Sequence, residues 1–160
     1  MQDLLNTPGG LLRDRGYAGA IVDQNVYTSV SKINQGSTVI DFGAAVATSG
    51  NGVGCHAVSA DADVIIGFST RYALRPYGTD GTVSFAVNET VPVAKTGRMF
   101  VNAVEDALEG DQVISITAGG LGSLSHAVAG VGRVAISGAK WAEPVAAGSI
   151  GIIEFNLLGR

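Results

Sequence analysis

The groups in this sequence that could do chemistry are few: two histidines, one cysteine and fourteen carboxylates. His56 and His126 stand 70 residues apart, each beside a Gly/Ser-rich stretch. Neither has a second histidine or a cysteine at metal-ligand spacing. Both read as surface or satisfied loop histidines. Asp61 and Asp63 are two apart, which on a strand would point both carboxylates to one side. Such a pair could hold a hard cation, but no third carboxylate stands close by. A solvated loop explains them better. Cys55 sits in Gly-Asn-Gly-Val-Gly-Cys-His and has no intrachain disulfide partner. It reads as a small, half-buried apolar residue.

Catalytic motifs are missing. No serine lies in a Gly-x-Ser-x-Gly elbow, and no Gly-Lys-Ser/Thr phosphate loop occurs. Gly130-Val-Gly-Arg-Val-Ala135 fits a relaxed dinucleotide pattern, which means something only between a strand and a helix. The residues that follow, Val134 to Gly138, read as a strand, so the glycines are better explained as turns. Seven arginines are scattered along the chain. Arg71 and Arg75 are close together, in Arg71-Tyr-Ala-Leu-Arg-Pro-Tyr. That mixture with Tyr72 and Tyr77 suits a protein interface. A single-strand stacking platform would need more positive charge around it. Tyr17 and Tyr27 are further aromatic anchors. The candidate site is therefore an interface: Tyr17, Tyr27, Arg71, Tyr72, Arg75 and Tyr77. No catalytic residue, cofactor or metal is expected.

The elements that must carry this surface follow from composition. The chain has 160 residues, enough for one domain, with 46% hydrophobic and only 15% charged residues. Ordinary domains hold ~25% charge, so polar surface is scarce for a monomer. Disorder is excluded by the apolar content. The 23 glycines keep no every-third period, which excludes collagen, and recur too often for a long helical bundle. A net charge of −4 argues against coating nucleic acid. No stretch approaches ~18 apolar residues, so nothing spans a membrane. The first residues lack the basic and apolar regions of a signal peptide. A soluble protein made in a cytoplasm is expected.

Short apolar runs punctuated by turns dominate after Gly36. Val83, Phe85 and Val87 alternate with period two. Val91-Pro-Val-Ala follows, with Pro92 marking an edge or a strand start. Arg98 to Asn102, Gln112 to Thr117, Arg133 to Ser137 (ending at Gly138) and Ser149 to Leu158 are further runs. Turn signals lie at Ser49–Gly52, Tyr77–Gly81, Glu109–Asp111 and Gly148. Strands spaced in this way predict an all-β fold, a compact antiparallel barrel or sandwich.

Two segments are ambiguous. Val101, Val104 and Leu108 have helical spacing, while a strand and turn fit residues 100–108 equally well. Ala20 to Ile33 has no Gly or Pro and could be a helix, but its β-branched residues weaken that reading. Residues 1–35 are read as an extended N-terminal arm lying along its own domain or a neighbour's, and 36–160 as the β-domain.

An ordered series of phrases resembles the cement, or head-decoration, proteins of tailed bacteriophages. The phrases are Gly19 to Asp23, Ile40-Asp-Phe-Gly-Ala-Ala-Val, Asp63-Val-Ile-Ile-Gly-Phe-Ser, Val91 to Val101, Glu109-Gly-Asp-Gln-Val, and Ala139 to Phe155. Together they span about three-quarters of the chain. Many relatives carry Arg after Phe-Gly, where this chain has Ala44, so any coat contact through that Arg is made differently here. The resemblance implies a β-barrel or jelly-roll-like domain and no catalysis. It implies the outer surface of the virion capsid as location and the major capsid protein as partner. A homo-oligomer is expected, trimer ahead of dimer, with no nucleic acid, membrane or cofactor. A tail or head-tail adaptor and a small-molecule-binding β-barrel are the alternative readings.

Overall fold

The computed structural model describes residues 17–23, 26–71, 84–116, 120–124 and 132–159. These hold eleven strands and no helix. They are β1 (Thr28–Asn34), β2 (Ile40–Asp41), β3 (Ala45–Thr48), β4 (Gly54–Ala57), β5 (Ile65–Ser69), β6 (Ser84–Phe85), β7 (Thr90–Asn102), β8 (Gln112–Ile116), β9 (Leu121–Ser123), β10 (Arg133–Trp141) and β11 (Ile150–Asn156). Nine form one sheet in the order β1-β4-β3-β5-β7-β11-β10-β8-β9, and β2 pairs with β6. A further ladder between β1 and β7 closes β1, β4, β3, β5 and β7 into a barrel. The all-β expectation holds. The barrel departs from a purely antiparallel one at β1 and β4, which run parallel.

β7 is the spine of the molecule. The sequence suggests two runs here, but the strand passes through Gly97 unbroken for 13 residues. Its first half pairs with β1 and β5, its second with β11. Met99 lies between Ile153 on one edge and Ile21 on the other. Beyond β11, the sheet runs through β10 and β8 to β9. It then returns to the end of β7 through the bridge Ala103↔Leu121.

Two apolar clusters explain the composition. Val46, Cys55, Ile66, Val91 and Val93 come from four of the barrel strands and fill it, with Ile40, Phe42 and Phe85 as the plug. The Phe42 and Phe85 rings meet at 4.9 Å, a tilted aromatic pair. The opposite faces of the same strands, through Ala45, Ala47, Ile65, Phe68 and Ala94, join a larger core with Met99, Trp141, Ile153 and Phe155. β5 is thus buried on both faces, which is why it reads as the uninterrupted run Ile65-Ile-Gly-Phe. Trp141 is fully buried and donates its indole N–H to Gly122 O at 3.1 Å.

Four local readings are settled by packing. Gly138 does not end its strand: with φ +88° it lies in the irregular stretch between Ala135 and Lys140, across which β10 keeps its pairing with β8 and from Ala139 onward also takes β11. Residues 100–108 are strand and then turn. Val101 is buried while Val104 and Leu108 are 43% and 65% exposed, so no helical stripe forms. Val87 does not share the face of buried Phe85. It lies in a turn with Asn88 at φ +67°, and is 41% exposed. From Thr28 onward, the stretch read as an arm is strand β1, hydrogen-bonded into the barrel.

Candidate interaction surface

Two of the expected anchors come together. Residues 19–22 run along β7, with Gly19 N–H and Val22 N–H donating to Phe100 O and Arg98 O. Arg71, just past β5, donates its backbone N–H to Gly19 O at 2.7 Å. Its guanidinium then lies 4.3 Å from the centre of the Tyr17 ring, a cation–π contact. Tyr17 is 41% exposed, so the stacked pair presents a flat, partly wet face. Tyr27 lies elsewhere, just before β1 and against Gly97 of β7, and is 40% exposed. Tyr72, Arg75, Tyr77 and also His126 fall outside the described residues.

The carboxylates are engaged in holding loops. Asp61 and Asp63 lie in the turn between β4 and β5, not on a strand, and they serve different partners. Asp61 Oδ1 accepts the Gly132 N–H at 2.6 Å. Asp63 Oδ2 accepts the N–H groups of Ser59 and Ala60 at 2.7 and 3.0 Å, and its Oδ1 lies 3.3 Å from His56 Nε2. Burial pushes the Asp63 carboxyl up, but the two N–H groups and the imidazole outweigh it and hold the pKa below its ordinary value. Glu89 caps Ala86 N–H, Asp106 caps Ala147 N–H, and Asp111 takes Leu108 N–H and the Ser123 hydroxyl. Glu105 receives both terminal nitrogens of Arg133 side by side, Nη2 at 2.8 Å, and also Ser123 N–H. That fork-to-fork pair ties β10 to the turn after β7.

No three of His, Cys, Asp and Glu gather into a metal site among the described residues. Cys55 is fully buried, inside the barrel, deeper than the half-buried position expected. Burial raises its thiol pKa to about 11, against the opposing pull of Lys32. The thiol therefore stays protonated. A cleft of about 510 Å³ opens beside β3 and β9, walled by Phe42, Ala45, Val58, Ile116 and Leu121. Asp41 is the one ionisable side chain in its described wall, and His56 is not part of it. A binding barrel working through His56 finds no support in that geometry.

What remains is surface. Val26, Val53, Val64, Leu108 and Leu158 are each more than half exposed. β1 itself is exposed from Thr28 to Ser31. Sequence reasoning missed this strand, although its alternation Thr-Ser-Val-Ser was a usable signal.

The family described as structural cement protein (E217 gp24/Pam3 gp6) matches residues 7–156. No curated protein matches the sequence. Among solved structures, a chain from the capsid of Myoviridae phage XM1 superposes with a TM-score of 0.69 at 18% identity. The match covers 94% of this chain and 98% of that one. At that identity the likeness is one of fold.

Proposed function

The chain belongs to the structural cement protein family of phages, and on that premise we propose how it acts on the capsid. It binds the outer surface of the head and bridges neighbouring subunits of the major capsid protein. It does so as a homo-oligomer, a trimer ahead of a dimer, and without catalysis. The observation that carries the reading is the family match across nearly the whole length. The engaged carboxylates support it: Asp61, Asp63, Glu89, Asp106 and Asp111 accept backbone N–H groups of loops, and Glu105 that of Ser123 in β9. A protein built this way holds a surface in shape.

The energetics need only contact. A ligand that binds the assembled shell alone stabilises it by RT ln(1 + [L]/Kd), ~2.7 kcal/mol at 100-fold excess over Kd. Repeated over a symmetric shell, modest contacts suffice, and an oligomer spanning several subunits gains from multivalency. Few charges and many small residues suit broad, close contact.

Quantitative mass spectrometry of purified virions tests the assignment. Hundreds of copies per particle are expected. A handful of copies would place the protein at the tail or the head-tail junction instead.

A further inference from the structure

We propose that the outer edge of β1 takes an extended segment of the shell protein as an added strand, an inference that rests on the cement reading above. Pro92 of β7 uses its carbonyl to accept the Thr70 N–H at 2.8 Å, so that carbonyl points toward β5. Its register partner on β1 is Ser31. In an antiparallel ladder such a pair exchanges no hydrogen bonds, so the Ser31 N–H and C=O point away from β7. Ile33 and Gln35 have the same phase and prove the direction: their N–H groups donate to Val53 O and Cys55 O on that outer side. Ser29, two residues earlier in the same register, points outward too.

β4 does not reach these residues. It pairs with β1 only at Ile33 and Asn34. Among the described residues, then, no strand covers the outer edge from Ser29 to Ser31. From Ser29 to Ser31 itself the usual guards are weak, the irregularity of β1 lying just before, between Thr28 and Ser29. Natural edges carry Pro, bulges or charges that repel a second strand. Here the nearest charge, Lys32, has its ammonium engaged by Gly52 O. Val30 is 36% exposed and Tyr27 40%. An unpaired row of N–H and C=O groups flanked by apolar side chains is chemistry for an extended polypeptide.

Size decides which polypeptide. The open stretch from Ser29 to Ser31 is three residues at ~3.4 Å each, an edge ~10 Å long. A stable protein pair buries ~800 Å² on each partner, and an edge this short falls well below that. It cannot hold two free copies together. It serves as one contact in a larger attachment, which is what a capsid-bound protein has and a free dimer lacks.

The test measures binding of the full-length protein to shells assembled without it, by co-sedimentation. Ser31→Pro removes the outward N–H where β1 makes no bond to β7, so the protein's own ladder survives. Val30→Lys places a charge on the same edge. With melting temperature unchanged, each variant should bind about tenfold more weakly or worse, while Ser31→Ala binds as wild type. Hydrogen exchange of the Ser31 amide should be fast in the free protein and slow on the shell. Wild-type occupancy by a folded Ser31→Pro or Val30→Lys variant would overturn the proposal. So would an amide already protected in the free protein, or a wild-type dimer that Ser31→Pro turns into a monomer. If the wild-type protein itself fails to bind, the cement reading fails, a distinct result.

Discussion

Gly19 and Gly43 meet backbone to backbone: a Cβ on Gly43 would sit 2.7 Å from Gly19 N, and one on Gly19 3.0 Å from Gly43 N. Both have positive φ, +81° and +76°. The contact fixes where residues 19–22 run beside β7, and so where Tyr17 stacks on Arg71. Gly43→Ala adds left-handed strain and a steric clash together. It should cost about 1–3 kcal/mol, read as a lower midpoint in urea. Faster exchange of the Val22 amide would localise the damage to the displaced segment.

Asn34 joins three connections at the barrel mouth. Fully buried, it donates from Nδ2 to Thr38 O at 2.9 Å and Ala86 O at 3.2 Å, and its Oδ1 accepts Gly36 N–H. Asn34→Ala leaves those groups without their partner and should destabilise by about 2–3 kcal/mol. Asn34→Asp should be worse, since it sets a carboxylate against carbonyl oxygens. Equilibrium unfolding of both variants checks the order.

Asp63 gives the stability a pH dependence of known sign. Its folded pKa lies below the unfolded value, because the Ser59 and Ala60 N–H groups and His56 overcome its burial. The stabilisation is therefore present above the unfolded carboxylate pKa of ~3.9. It is lost as pH falls through the lower folded value. Melting temperature should drop in that acid range. Asp63→Asn should melt lower at neutral pH and show a flatter acid limb.

Cys55 should be inert while the barrel is closed. Its burial raises the thiol pKa to about 11, and no side-chain surface is exposed. A disulfide reagent at mildly alkaline pH should label it only under denaturant, at the rate of unfolding. Rapid labelling of the native protein would contradict the packing.

The sequence was readable where local pattern and tertiary context agreed. β8 and β11 follow their apolar runs, and the turns at Gly50–Gly52 and Gly110 lie where the glycines stand. It was unreadable where one strand serves two partners. Gly138 looks like a stop because an irregularity within a strand and a strand end use the same residue type. β1 looked like an arm because only part of it is buried: Thr28 to Ser31 are exposed, and what makes it a strand is pairing with residues about 60 positions away. Deleting residues 1–35 therefore removes a barrel strand. It tests folding before it can test attachment. The interface suffered most: Tyr17 and Arg71 are 54 residues apart, and the pair forms only because β5 ends beside the segment packed on β7.

On the proposed function, this protein strengthens a shell by contact. Calorimetry of capsids stripped of it, then titrated with purified protein, tests that most directly. The shell's melting temperature should climb with occupancy and level off once its sites are filled. A transition that stays at the stripped-shell temperature, with the protein bound, would contradict it.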